Sequence, residues 1–360
     1  MLTVSASRRI LALVLGIVLL AGCGGQGGEE TTEVHSEATA HADPTVKVEE
    51  TTERSPKGPG KLRELEVTLD GYEGPENVGI VMAVQRGYFA DAGLRVKTTV
   101  AATPVRPVEY VVDRSVDLGV SHQPQVVLAK EQGKPIVAVG SLISQPTASM
   151  IWLRSSGIEG IADLKGKTIA IPGLSFQKAF LESVLARDGL TLGDVKLKRV
   201  RYDLVSSLVD GEADAVFGGS WNVEGVKLEA QGLSPVITRM RGLGVPAYDE
   251  QVLIARADAV AKDPKAIRDF MSALARGTAA AVGNPEAAIA SVEGSGEANP
   301  DLSRKTRDAE FKATLPLLSR NAYMSPVKAR RLIDWMFEEG MIPHRPSVST
   351  LFPNTYGDAR

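Results

Sequence analysis

One cysteine stands in 360 residues, Cys23, close to the N-terminus. The rest of the chain has no thiol, which excludes disulfides, cysteine-based metal sites and cysteine nucleophiles there. Histidine is scarce as well. Of the four, His35 and His41 fall in a polar N-terminal stretch, where they read as solvated linker residues rather than metal ligands. The G-x-S-x-G, H-E-x-x-H and Walker A patterns do not occur, so no hydrolase elbow, zinc-protease helix or phosphate loop is expected. An excess of basic charge is also missing: 41 Lys and Arg against 44 Asp and Glu leave a net charge of −3, which is no footprint for nucleic acid. Lys196, Lys198, Arg199 and Arg201 cluster, but Leu197 and Val200 interrupt them as in a strand with one solvated face. Beyond one run at the start, no second long apolar stretch appears. The sequence therefore predicts a non-enzyme that carries no cofactor or metal and behaves as a monomer.

Arg8 and Arg9 precede an apolar run over residues 10–20 that is short for a membrane-spanning helix. The basic flank, apolar centre and small-residue exit predict a secretory signal over residues 1–22. The exit, Leu20-Ala21-Gly22-Cys23, resembles a bacterial lipobox. That resemblance implies lipidation of Cys23 and anchoring on the extracytoplasmic face of the cell membrane. Residues 23–61 hold few large apolar side chains and read as a flexible acidic tether.

About 300 residues remain, enough for two lobes. Strand and helix patterns alternate through them, which predicts an α/β fold with parallel-rich sheets covered by helices. The pattern restarts near Arg154, one strand returns late at residues 251–255, and the rest is mostly helical. These features place lobe I at 62–153 plus 249–360 and lobe II at 154–248, joined by hinge strands crossing near Leu153 and Tyr248. Ligands of such folds bind at the carboxyl ends of strands and in clefts between lobes.

The stretch best suited to a ligand is Phe217-Gly218-Gly219-Ser220-Trp221-Asn222-Val223-Glu224, after a buried-looking strand. Its glycines allow close approach, and an aromatic face, an amide and a carboxylate stand beside them. Tyr72 in a Gly/Pro loop, the turn Ser121-His122-Gln123 after a strand, and Gln145 after another are further candidates. Asn77 reads first as a helix cap and second as a cleft donor. Ser175 reads as the cap of the helix that follows and a possible ligand contact. Several helix N-termini facing one cleft would instead favour an anion.

Gly87-Tyr88-Phe89-Ala90-Asp91-Ala92-Gly93-Leu94 resembles a signature of the periplasmic-binding-like proteins that serve ABC importers of nitrate, sulfonates and thiamine precursors. Asp163-Leu164-Lys165-Gly166-Lys167 and Asp210-Gly211-Glu212-Ala213-Asp214 fit the same frame. The resemblance implies the two-lobed, type II periplasmic-binding fold, a small-molecule solute, and importer membrane subunits as partners. Gly219-Ser220-Trp221-Asn222-Val223-Glu224 and Val245-Pro246-Ala247-Tyr248 are similar to the thiamine-pyrimidine (NMT1/THI5-like) branch. Carried over, Glu224 would accept from a ring amino group, and Trp221 or Tyr248 would lie against the ring, with Asn222 beside them. The first loop departs from that branch: Gly71 stands where a Trp is common, and Asn77 where a His is. An organic-anion solute is the alternative the wider family implies. A pyrimidine-synthesising enzyme of the same fold is the other, but that branch relies on a Cys-rich segment that this sequence lacks.

Overall fold

In strand β1 (Arg63–Leu69), Leu65, Val67 and Leu69 turn to the core while Glu64 and Glu66 face outward, the period-two pattern of a strand. The computed structural model describes residues 62–353, apart from 202 and 297. The expected signal segment, the lipidation at Cys23 and the tether over residues 23–61 lie outside the described residues.

Nine further strands follow among the described residues: β2 (Leu94–Val100), β3 (Leu118–Ser121), β4 (Ile136–Ile143), β5 (Ala148–Leu153), β6 (Thr168–Ile171), β7 (Lys196–Arg199), β8 (Ala215–Ser220), β9 (Pro235–Arg239) and β10 (Gln251–Arg256). They form two five-stranded sheets, ordered β2-β1-β3-β10-β4 and β7-β6-β8-β5-β9. In the first sheet β1 runs parallel to β2 and β3, while β10 is antiparallel to both its neighbours. In the second, β6 runs parallel to β7 and β8, while β5 is antiparallel to β8 and β9. Each sheet's reversed strand is the one that arrives from the other sheet.

This arrangement moves one expected boundary. β5 lies wholly in the second sheet, so the first crossing is at residues 144–147 and not near Leu153. β4 and β5 are both buried apolar runs, and only the Ser-Gln-Pro-Thr break between them separates the sheets; a proline cannot donate to a ladder. The return crossing occupies residues 240–250. Lys328, on the helix Pro326–Glu338, ties the two crossings together by binding the Ser144 carbonyl oxygen and pairing with Asp249.

The helices Val78–Gln85 and Pro264–Gly283 pack with little separation. A Cβ on Gly277 would stand 2.1 Å from the Gly79 carbonyl oxygen, so glycine is required there. Asp263 caps the longer helix by accepting from the Ala266 N–H. This pairing holds the shorter helix, and with it the loop over residues 70–77.

One apolar cluster draws on both sheets and on the C-terminal helix, including Val126, Ile254, Met150, Phe217, Leu332 and Ile333. Within it, Phe180 meets Trp335 edge-on at 4.7 Å and Tyr248 at 6.2 Å. Tyr248 is fully buried there and donates its hydroxyl to Glu250. The expected ligand face at Tyr248 is therefore a core ring.

Candidate functional site

A cavity of about 620 Å³ opens where the carboxyl ends of the parallel strands of both sheets meet. Asp70 follows β1, His122 follows β3, Pro172 follows β6 and Ser220 ends β8, and all four line it. The reversed strands contribute from their starts: Thr147 and Ala148 at β5, Glu250 and Gln251 at β10. The placement is the one expected for an α/β fold.

Two close approaches shape the wall. Gly218 has φ +90°, and a Cβ there would meet the Gln177 amide at 2.4 Å. Gln177 in turn accepts from the N–H groups of Gly173 and Leu174, both at 3.0 Å. Ser175, the expected cap of the helix that follows, is exposed, caps no helix and donates to Gln125 instead.

The inner wall is a chain of charges with its own counter-ion. His122 Nδ1 donates to the Glu250 carbonyl oxygen at 2.9 Å and lies 3.3 Å from the Glu250 carboxylate. Its Nε2 lies 3.5 Å from Asp70. Burial alone would lower the His122 pKa, but the bond to Glu250 and the charges of Asp70 and Glu250 raise it above the ordinary value. Glu250 moves the other way. Burial would raise it, but His122 and the N–H groups of Ala148 and Thr147 hold it below the usual carboxylate range. Asp70 is raised, by burial above all, with His122 opposing.

A second group of acids, the outer wall, lacks such compensation. Glu76 receives only amide donors, Asn222 Nδ2 at 3.3 Å and Gln251 Nε2 at 3.4 Å. Burial, and then the charges of Asp70 and Glu224, push it up to about 8. Glu224 accepts from the Ser220 N–H at 2.7 Å. Glu310 faces Lys227 at 3.7 Å, yet burial foremost, with Glu224 adding to it, pushes Glu310 up to about 7. Three acceptor atoms of cavity-lining residues have no hydrogen-bond donor: Glu73 Oε2, Gln251 Oε1 and Glu310 Oε1.

Of the expected site residues, Tyr72, His122 and Glu224 line the cavity, Tyr72 half-exposed at its edge. The others do not. The Trp221 ring lies under the Arg239 guanidinium at 3.8 Å and packs on a separate apolar cluster, because β9 delivers that arginine to the face the ring covers. Asn222 is fully buried behind the wall, bonded to Thr314 and Glu76. Asn77 neither caps its helix nor reaches the cavity; it accepts from the Gly74 N–H and donates to the Tyr72 carbonyl, pinning its own loop. Ser121 is buried in β3. Gln123 is buried against Asp249. Gln145 is exposed in the first crossing. Phe176 supplies a buried ring on the wall that sequence reasoning missed.

The sequence reading also missed Asp70, Glu76, Glu250 and Glu310. Glu310 carried a signal: Thr306, Glu310 and Thr314 recur every four residues on the buried face of the helix Arg304–Thr314. A polar stripe on an inward face marks a site or a network. Asp249-Glu250 before a strand with an apolar centre, Val252 to Ala255, was a second signal.

The sequence profile of the family described as NMT1/THI5 like matches residues 74–288. A relative in Haemophilus influenzae, named as a thiamine biosynthesis protein, is 32% identical over 280 residues, which cover 78% of this chain and 88% of that one. The formylaminopyrimidine-binding protein of Halalkalibacterium halodurans is 29% identical over 79% of this chain and 77% of its own. Other relatives carry the name 4-amino-5-hydroxymethyl-2-methylpyrimidine phosphate synthase, one of them in Legionella pneumophila at 27% identity over 70% of this chain and 79% of its own. Among solved structures, the alkanesulfonate-binding protein of Xanthomonas axonopodis superposes with a TM-score of 0.63 at 17% identity, over 82% of this chain and 99% of that one. That likeness shows the fold, the periplasmic-binding-protein fold expected from the sequence.

Proposed function

Because the chain belongs to the NMT1/THI5-like family, we propose that it is a solute-binding protein for a small, amine-bearing heteroaromatic of the thiamine-pyrimidine kind. It acts outside the cytoplasm and passes the solute to the membrane subunits of an ABC importer. No covalent step is involved: the two sheets and their helices close on the ring, water leaves, and polar groups pair.

The observation that carries this reading is the chemistry of the cavity wall. Its undonated atoms, Glu73 Oε2, Gln251 Oε1 and Glu310 Oε1, are all acceptors. A buried acceptor without a donor costs free energy, and exocyclic ring amines supply donors in a fixed plane. Phe176 and Tyr72 offer rings for a flat solute to lie against. The same wall disfavours the anionic alternative. Acids outnumber basic side chains on the lining by eight to four, and three of the four, His122, Lys227 and Arg307, are already engaged by carboxylates, which leaves Arg201. A sulfonate or nitrate would meet repulsion on most sides. The synthase names among the relatives make an enzyme the second reading, and it lacks the Cys-rich segment noted above.

A thermal-shift screen tests the proposal, since a ligand that binds the folded state raises its stability. 4-Amino-5-hydroxymethyl-2-methylpyrimidine and its formylamino counterpart are expected to raise the midpoint, and methanesulfonate and nitrate to leave it unchanged. Stabilisation by the anions alone would overturn the reading.

A further inference from the structure

The three carboxylates of the outer wall come from three separate elements. Glu76 ends the loop after β1, Glu224 opens the helix Glu224–Ala230, and Glu310 lies on the helix Arg304–Thr314. Glu224 interacts electrostatically with both of the others. Their surroundings do not neutralise them. Asp70 and Glu250 add negative charge at Glu76, and the imidazole between those two is already shared by both. Among the described residues, no Lys, Arg or His stands within ion-pair distance of Glu76 or Glu224. Lys227 pairs with Glu310 at 3.7 Å, and Arg307 on the same helix, which also acts on Glu310, is held by Glu293 at 2.7 Å. Three acids thus have one ion-pair partner among them.

A second observation concerns buried acceptors on residues that line the cavity. The Glu310 side chain is 4% exposed, and its Oε1 has no hydrogen bond, only the Lys227 ammonium at 3.7 Å. Gln251 is 5% exposed, spends its amide N–H groups on Asp70 and Glu76, and leaves its Oε1 without a donor. What fits is a group with several N–H donors and a positive charge.

We propose that the solute binds as a cation: a pyrimidine-like ring carrying a primary alkylamine, whose ammonium is received among Glu76, Glu224 and Glu310. This rests on the reading of the cavity as an amine-bearing heteroaromatic site and names the charge state that site selects. An ammonium brings three donors and no acceptor, which matches the inventory of the wall. Burial above all, with neighbouring acids adding to it, disfavours ionisation of Glu76 and Glu310, so the ammonium takes the place of a proton. In the neutral range, binding of such a cation releases protons. A neutral alcohol or amide of the same ring releases none, and the N-formyl group would abolish the charge that the wall receives.

Calorimetry with matched probes separates these possibilities. The probes are 4-amino-5-aminomethyl-2-methylpyrimidine, its 5-hydroxymethyl counterpart and its N-formylated form, each titrated at pH 7. The aminomethyl probe is expected to bind roughly 30-fold tighter than the hydroxymethyl probe, the scale of a charge-assisted hydrogen bond. Its heat is expected to differ between phosphate and Tris buffers by the proton released, with no difference for the other two. Its affinity should rise between pH 6 and 7 by up to about tenfold for each proton released. In Glu76→Gln and, separately, Glu310→Gln, the ratio of the two affinities should collapse toward one. Equal binding of the aminomethyl and hydroxymethyl probes, or tighter binding of the formylated one, overturns the cation inference and leaves the proposed function standing. Binding of none of the three overturns both.

Discussion

Two buried acids face the same cavity, Glu250 and Glu76, and they behave in opposite ways. On the inner wall Asp70 and Glu250 flank His122, and Glu250 also accepts from two backbone N–H groups and the Tyr248 hydroxyl. Its carboxyl is held below the usual range. On the outer wall Glu76 has amides for company and is pushed up to about 8. Both sites desolvate their carboxylates, so burial does not separate them. What separates them is whether the fold supplies the counter-charge. A cluster compensated from within is part of the scaffold. One left uncompensated is held ready for something that arrives from outside.

If that contrast holds, removing the internal cation should harm folding, and removing an outer acid should not. His122→Leu leaves two buried carboxylates without their partner, and is expected to lower unfolding free energy by about 3 kcal/mol in urea titrations. A loss below about 1 kcal/mol would mean that the inner wall is not a compensated unit. The outer wall makes a smaller, pH-dependent prediction. Burial pushes Glu76 up to about 8 in the folded state, above its ordinary value of 4.5, so the folded state holds a proton that the unfolded state has lost. Stability therefore declines as pH rises from about 5 toward 8. His122, raised in the folded state, contributes in the same direction, because its partnership is lost as it deprotonates. Glu76→Gln removes the first contribution alone. It should flatten the decline between pH 5 and 8 by about 1 kcal/mol or more, read from urea midpoints at each pH. An unchanged slope would place Glu76 in a solvated setting and remove the contrast.

The architecture was legible where its signal is local. Alternation in β1, the strand–helix order and the late return of β10 can all be read from neighbouring residues. The first crossing was misplaced because β4 and β5 are both apolar and buried, and no local feature says which sheet a strand joins. Site residues divided along the same line. His122 and Glu224 could be named because they stand at or just beyond strand ends, where topology dictates the direction. Trp221 stands in the same turn, but its ring follows Arg239, which a strand 18 residues further on brings over it. Tyr248 follows Phe180 for the same reason. Aromatic side chains go where distant packing partners are, and composition near a glycine turn cannot reveal those. Glu310 was visible in a polar stripe on a buried helix face and Glu250 as an acid just before an apolar strand centre, signals that call for reading burial and charge together.

The most direct test of the central claim pits two neighbours in one turn against each other. Glu224 faces the cavity, and Trp221 faces Arg239. Calorimetric titration of 4-amino-5-hydroxymethyl-2-methylpyrimidine into Glu224→Ala should show roughly 30-fold weaker binding, as expected for losing a hydrogen bond to a carboxylate. Trp221→Ala should bind within about twofold of the unaltered protein, since it removes packing remote from the solute. The reverse pattern, with the indole essential and the carboxylate dispensable, would contradict the account of an acceptor-lined cavity.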